Sequence, residues 1–486
     1  MAQSRIDPVM QMIDSKNIAY EQRTIPFHRG ELKILYIKQL VDTRALYQSI
    51  IEPLVDHCAA SGRSVKAQQT REQILYAADC FLEDSAAALP GHILNGMVVV
   101  VFSNDAQYLI VDIKKVAHRQ VDDPQIHFTI RGPRDTFVEN LDTNLSLIKY
   151  RIKDPSMRID METVGARTQT SVAVIYIADI ANDAVVQEIK KKISGIVTDG
   201  IWGTGELQGF LEDGTKLFPR MGVIERSDWA CEALLEGRVV IMAEGGQLAL
   251  IAPHTFHESL IACDDRYDNK YFGMFSRLIR YIALFLSLCL SSMYIAIVSF
   301  HSYVLPVDYN ILLSQLRKDV LFSPLIEVLI LEFLVELIRE SLMRVPNKIG
   351  MAIGIVGAIV IGQAATSAGV FSPLMLIIVA TSLMASFAIP DYFSVHPIRL
   401  LKFFVILMTG FFGFYGFELA ITVIATHVVS IRSFGVPYMA PYAPFNRYDA
   451  GKAMLFNRSR SPYRQQYLQT KDDTRTDFYH ARKMNK

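Results

Sequence analysis

LNGMVVVVFSNDAQYLI (residues 94–110) and LEGRVVIMAEGGQLALI (residues 235–251) decide how the first half of this chain is read. Aligned one beneath the other, they share a leucine, a glycine, two valines, a later leucine and the final isoleucine. Each reads as a β-hairpin, two short apolar runs around a polar turn. The turn residues, Asn104-Asp105 and Gly245-Gly246, are types that tolerate positive φ, which tight hairpin loops need. At nearly the same offset, KILYIKQLVD (33–42) matches AVIYIADIAN (173–182). Two matched elements in the same order argue for an internal duplication rather than a chance likeness of valine-rich strands.

Each copy reads as a strand, a helix (43–55 and 183–193), a further helical stretch and the hairpin. That gives two α/β subdomains, 31–130 and 166–270, each of ordinary domain size. Residues 1–30 read as an N-terminal tail and 131–165 as a linker. In the linker, Phe137, Leu141, Leu145 and Ile148 recur at helical spacing and predict an amphipathic helix.

The second half differs in kind. The whole chain is 51% hydrophobic and its mean hydropathy is positive, yet long apolar runs occur only from about residue 281 to 429. The fold class is therefore an α/β domain of two duplicated subdomains followed by an α-helical transmembrane domain (271–432) and a basic C-terminal tail (433–486). The first residues contain no apolar signal core, so the α/β domain is expected in the cytoplasm. Five isolated cysteines suggest neither a disulfide framework nor a metal site. A net charge of zero points away from nucleic acid.

Chemistry-bearing motifs are few. Gly203-Thr204-Gly205 with Gly209 lacks the third glycine of a dinucleotide loop and reads as a turn. His254, His257 and Glu258 are in the wrong order for a zinc protease and read as solvated loop residues. Asn144-Leu145-Ser146 is a glycosylation sequon without meaning in a cytoplasmic domain. With no triad, phosphate loop or carboxylate pair, neither an enzyme nor a cofactor is expected.

The apolar segments carry more information. The first, 281–300, lies between Arg277 and Arg280 on one side and His301 and Pro306 on the other. The second, 322–342, is broken by Glu327, Glu332, Glu336, Arg339 and Glu340. Glu332, Glu336 and Glu340 line one helix face, so this helix either lies at the interface or turns that face to an aqueous cavity. The third, IGMAIGIVGAIVIGQAATSAGVFS (349–372), places Gly350, Gly354, Ala358 and Gly362 at four-residue spacing, with Gly357 beside them. That stripe permits close helix packing, and Gln363, Thr366 and Ser367 at membrane depth need a protein or water partner. Segments 374–389 and 401–431 follow, the latter interrupted by Gly410, Gly413, Gly416 and Glu418. Five segments conflict with two cytoplasmic ends. One must be interfacial or re-entrant, the acidic segment first and the glycine-broken one second.

RGPRDTFVENLDTNLSLIKYRI (131–152), LFPRMGVIERSD (217–228), LEGRVVIMAEGGQLALIAPHTF (235–256), LPVDYN (305–310), LIRESLMRVPNKIG (337–350), IVGAIVIGQAA (355–365) and SFGVPYMAPYAPF (433–445) resemble, in order, the A subunit of the GerA family of bacterial spore germinant receptors. The stage V sporulation protein AF, an accessory relative, shares these segments. The resemblance implies a multi-pass protein of the spore inner membrane, acting with a transporter-like B subunit and a lipoprotein C subunit. It also implies A subunits that oligomerise with copies of themselves around a pore and release ions. On that reading Gly350, Gly354, Gly357 and Gly362 pack the pore helices, and Gln363, Thr366 and Ser367 line the pore. Glu332, Glu336 and Glu340, with Arg339 beside them, attract cations at its mouth, unless the glycines serve packing alone and the acidic helix is interfacial. A secondary transporter and a non-conducting scaffold are the competing functions. The sequence departs from the family at Glu244-Gly245-Gly246, where an aspartate-glycine turn is expected, and at the more polar Thr366-Ser367.

Overall fold

The computed structural model describes residues 6–15, 18, 20–27, 30–61, 66–75, 79–113, 129, 131–212, 217–344, 367–455 and 463–474. Strands β1 (Glu21–Phe27), β2 (Gly30–Tyr36), β3 (Cys80–Glu83), β4 (Val98–Phe102) and β5 (Tyr108–Val111) form one sheet, in the order β1-β2-β4-β5-β3. Strands β6 (Met157–Val164), β7 (Thr170–Ile177), β8 (Gly222–Ile224), β9 (Val239–Ala243) and β10 (Ala249–Ala252) form the other, in the order β6-β7-β9-β10-β8. All neighbours pair antiparallel. The two sheets thus follow one plan.

Every residue of β4 and β9 is buried, because helices cover both faces of each sheet. On the first sheet, α1 (Ile6–Ser15) sets Ile6, Val9 and Ile13 against Val99 and Val101. The opposite face, carrying Val98 and Val100, receives α2 (Thr43–Leu46), α3 (Glu52–Ser61) and α4 (Ala67–Gln69). Helix α5 (Leu89–Leu94) joins α1 on its side. The second sheet repeats this: α6 (Leu141–Arg151) and α9 (Ser227–Leu235) cover Val240 and Met242. Helices α7 (Asp183–Ser194) and α8 (Thr204–Leu211) cover Val239 and Ile241. Successive strand side chains point to opposite faces, which is why alternate valines serve different helical layers.

Several boundaries differ from the sequence reading. The described residues within 1–30 are not a tail, since α1 packs on the first sheet and β1 pairs in it, with Glu21 opposite Tyr36 and Phe27 opposite Gly30. The 131–165 stretch is not a linker. Its helix α6 occupies the place α1 takes in the first copy, and β6 pairs along β7. Phe137 precedes that helix yet shares its core. Gly245 has the expected positive φ of 80°. Asn104 and Asp105 do not; there a loop of the same length is held by the Asp105 carboxylate, which accepts from the Ala106 and Ala67 amides. Gly203 opens helix α8 instead of forming a free turn.

Beyond the sheets run α10 (Lys270–Ile295), extended by a π turn (Ala296–Phe300), then α11 (Val307–Leu316), α12 (Pro324–Arg344), α13 (Pro373–Phe387) and α14 (Tyr392–Ser430). Asn269, Ser372 and Asp391 cap α10, α13 and α14 through their side chains. Two helices, Tyr271–Phe300 and Tyr392–Ser430, are long and apolar enough to cross a membrane.

A straight helix of the latter length would run about 58 Å, but α14 is not straight. Gly413 has φ 63° and ψ −141°, outside helical space. A side chain at Gly416 would run into the Met408 carbonyl, so the chain has turned back on itself. One core cluster accordingly gathers Ile398 and Val405 from before the glycine with Ile421 and Val428 from after it. Helix α14 is therefore a hairpin with arms of roughly 30 Å each. Its two ends, near Ile389 and Ile431, meet Phe218, Leu260 and Tyr438. The reversal falls in the glycine-broken segment, while the acidic α12 is a continuous helix.

The described residues within 433–474 are not a free tail either. Residues 432–437 pair in a two-stranded ribbon and α15 (Arg447–Leu455) lies against α10 through the Arg277 guanidinium, which donates to the Ala453 carbonyl. Arg464 donates to the Leu235 carbonyl at 2.9 Å, and the Lys471 amide donates to the Ile180 carbonyl at 2.9 Å. The chain end thereby straps the second sheet to the helices.

The hairpin predicts a contrast between two glycines. Gly413→Ala should cost about 1–3 kcal/mol, because its backbone region is nearly restricted to glycine and the new methyl meets the Phe300 ring. Gly451, inside α15 with open space around it, should tolerate alanine or gain slightly. Thermal unfolding of the two variants in detergent checks this.

Candidate functional site

Helix α12 carries its carboxylates inward. Glu327 is fully buried; it accepts from Arg317 Nη1 at 2.7 Å and from the Ser372 amide at 2.5 Å. Glu332 is also buried; Lys402 Nζ lies 2.5 Å away and Ser291 Oγ donates to it at 2.8 Å. Glu336 is gripped by Arg399, which donates from Nε at 3.1 Å and from Nη2, with Arg339 Nη1 at 3.7 Å. Arg339 in turn donates to Ser386 Oγ at 3.0 Å and lies over the Phe387 ring. Glu340 is exposed.

At Glu327 and Glu332 the acidic face is buried among helices rather than turned to a water-filled cavity. It is packed against α10, α13 and the first arm of α14, with Glu327, Glu332 and Glu336 each matched by a cation. Burying an unpaired carboxylate costs several kcal/mol, so these pairs select which helices sit together. The spacing of the glutamates is visible in the sequence, but their partners Arg317, Arg399 and Lys402 are distant in the chain and were not paired with them there. Of the small-residue stretch, Gly350, Gly354, Gly357, Gly362, Gln363 and Thr366 lie outside the described residues, and Ser367 is exposed.

A second polar cluster joins the sheets to the helices. His254, His257 and Glu258, read from sequence as solvated, are buried. Glu258 forms a buried ion pair with Arg238, and Arg238 also donates to Gln465 Oε1 at 3.2 Å. His257 Nδ1 is 2.7 Å from the Tyr281 hydroxyl, which is 2.8 Å from that of Tyr442. His254 Nε2 is 3.0 Å from Ser259 Oγ, which is 2.8 Å from Ser394 Oγ at the start of α14. Ser259, His254 and Glu258 superficially resemble a hydrolytic triad, but Ser259 is 1% exposed and its hydroxyl is engaged with Ser394, so no substrate reaches it. Arg280 closes the same region with a two-pronged contact to Asp265 at 2.5 and 2.9 Å. Asn144 of the sequon is buried too, bonded to both backbone groups of Val138.

A third feature is a cavity of about 300 Å³ between the two sheet units, lined by Ile18, Gln39, Leu40, Asp142, Lys149 and Met157 among others. Lys149 Nζ donates to Gln39 Oε1 at 2.9 Å. Burial pushes its ammonium down to about 8, against the opposing pull of Asp142.

Two tests follow from these contacts. Lys402→Met alone should destabilise the protein by about 3–5 kcal/mol, because Glu332 is left buried without a cation. Adding Glu332→Gln should restore most of that loss in a double-mutant cycle of thermal unfolding in nanodiscs. At Lys149, the unfolded chain holds a proton that the folded protein releases between about pH 8 and its ordinary value of 10.5, so stability from this group rises with pH across that window. Lys149→Met should abolish that rise in urea unfolding.

A family model described as Bacillus/Clostridium GerA spore germination protein matches residues 8–468. The match extends at both ends beyond the segments of 131–445 that carry the resemblance. Spore germination protein KA of Bacillus subtilis (strain 168) is 35% identical over 417 residues, 85% of this chain and 76% of that protein. Spore germination protein B1 of the same organism is 34% identical over 429 residues, covering 85% of each. The crystal structure of the N-terminal domain of the A subunit of the Bacillus megaterium spore germinant receptor GerK3 aligns with 52% of this chain and 97% of its own at 24% identity, with a TM-score of 0.40. With a family match running almost end to end and relatives this similar over most of their length, the chain belongs to the GerA family of spore germination proteins.

Proposed function

We propose that this protein is the A subunit of a spore germinant receptor, a multi-pass membrane protein that oligomerises into a nutrient-gated channel and releases cations as the spore germinates. The observation that carries the germination role is family membership over residues 8–468. The membrane role is supported by the two long apolar helices. Their outward side chains agree: Phe272, Phe275, Ile282 and Phe285 on α10, and Phe411, Phe412 and Tyr415 at the tip of α14, are large, apolar or aromatic, and exposed. In this reading the α/β domain faces the cytoplasm or spore core, and both arms of α14 cross the bilayer.

The channel reading rests on the 349–372 stretch. Gly350, Gly354, Gly357 and Gly362 allow copies of the helix to approach one another around an axis, and Gln363, Thr366 and Ser367 offer polar groups to the pore. The pairing of Glu332 and Glu336 with Lys402 and Arg399 changes the role assigned to α12. It becomes a scaffold of the bundle, and the exposed Glu340 is the acidic residue assigned to the mouth. The partners are further copies of this chain, membrane lipid, and the transporter-like B and lipoprotein C subunits of the receptor.

Cysteine substitution at Gln363 and Thr366 tests the pore. In reconstituted, open receptors a water-soluble thiol reagent should react at both positions and block rubidium flux. Full flux with no reaction at either site would remove this stretch from the pore.

A further inference from the structure

His254 lies where three parts of the molecule meet. It follows β10, its amide donates to Ser433 Oγ at 3.0 Å in the C-terminal ribbon, and its ring faces the first turn of α14. The ring lies between two carboxylates. Nδ1 is 3.5 Å from Glu258 Oε2, and Nε2 is 3.9 Å from Asp391 Oδ2. Asp391 caps α14 and accepts from Ser394 Oγ at 2.5 Å. Gly222 holds the ring from behind, since a methyl there would come within 2.9 Å of Nδ1. A cavity of about 30 Å³ beside Gly222, His254, Glu258 and Asp391 has room for about one water molecule.

The other ionisable groups around the ring are Arg238, paired with Glu258, the neighbouring Glu212 and Arg220, of opposite charge, and Tyr438. Burial, with Asp391 and Glu212 adding to it, keeps the Tyr438 hydroxyl protonated. Arg238 balances Glu258, which leaves Asp391 as the unmatched charge when His254 is neutral. A protonated His254 makes the cluster electrically neutral, its charge facing Glu258 at 3.5 Å and Asp391 at 3.9 Å while Nε2 keeps its contact with Ser259 Oγ. In a buried site that neutrality favours the closed contact.

We infer that His254 is a proton-operated latch: protonated, it ties the α/β domain to the first turn of hairpin α14 through Asp391; neutral, it releases that turn. Histidine is the side chain whose charge ordinarily changes between about pH 5 and 8. The inference is independent of whether the protein conducts ions.

Hydrogen exchange of the full chain in nanodiscs, read by mass spectrometry and referred to the intrinsic exchange rate at each pH, tests it. Between about pH 5.5 and about pH 8, protection of residues 389–396 should fall about tenfold or more, the effect of one unit of pKa difference. His254→Gln should flatten that dependence. Asp391→Asn should flatten it too while retaining the helix cap, and so keeps the test decisive where His254→Gln misfolds. His92→Gln, on the first sheet beside Glu83, should leave it intact. Protection that is the same at both pH values in the unmodified protein, or a dependence that survives in both His254→Gln and Asp391→Asn, would overturn the latch.

Discussion

A carboxylate taken out of water into a bundle of apolar helices must find a cation, and the arrangement of the helical half follows from that demand. Glu327 and Glu332 are buried, Glu336 partly so. None is stable there alone. Arg317 therefore folds back from the turn after α11, and Arg399 and Lys402 must lie on the first arm of α14 where α12 passes. That arm is fixed in turn by its cap, Asp391, and by the reversal at Gly413, which returns the second arm to the α/β domain. Apolar side chains fill the spaces between, but they do not discriminate among neighbours as charges do.

The same logic operates at the junction. Arg238 at the start of β9 meets Glu258 after β10, with Gln465 and Tyr467 of the C-terminal strap completing the contact. One buried pair thus connects the second sheet and the chain end, while Ser259 and Ser394 continue the hydrogen bonds into α14. A displacement of the hairpin has a direct mechanical route to the sheet. Among the described residues, the first sheet's unit is tied to the second by Lys149 and Ser146 of α6, which bond to Gln39, and by Lys153, which donates to Asn95 Oδ1.

The elements legible in the sequence were those whose residues face helices on both sides. β4 and β9 are buried throughout and read as apolar runs, and α7 shows its stripe of Val185, Val186, Ile189 and Ile193. The edge strands β1 and β6 give a weaker signal because they are less covered than β4 and β9. β1 (EQRTIPF) is mostly exposed and contains a proline, and β6 (MRIDMETV) has polar residues at half its positions. Helix α1 escaped notice because three isoleucine and valine contacts make a short signal, although Ile6, Val9 and Ile13 are fully or nearly buried. At the sites, residue types were visible and partners were not. Three glycines interrupt α14, and only the backbone angles single out Gly413 as the one that reverses the chain. His254 and Glu258 read as surface residues because their burial depends on Arg238, Asp391 and Gln465, which lie far away in sequence.

The acidic face of α12 holds the bundle together, and in the channel function proposed above the ions pass elsewhere. Cation flux through reconstituted receptors carrying Glu332→Gln together with Lys402→Met tests it most directly, because the pair is neutralised without leaving a lone buried charge. The account predicts that the flux per folded receptor and its preference for cations over anions stay as in the unmodified protein. A channel that still folds but loses either would contradict it and return Glu332 to the ion path.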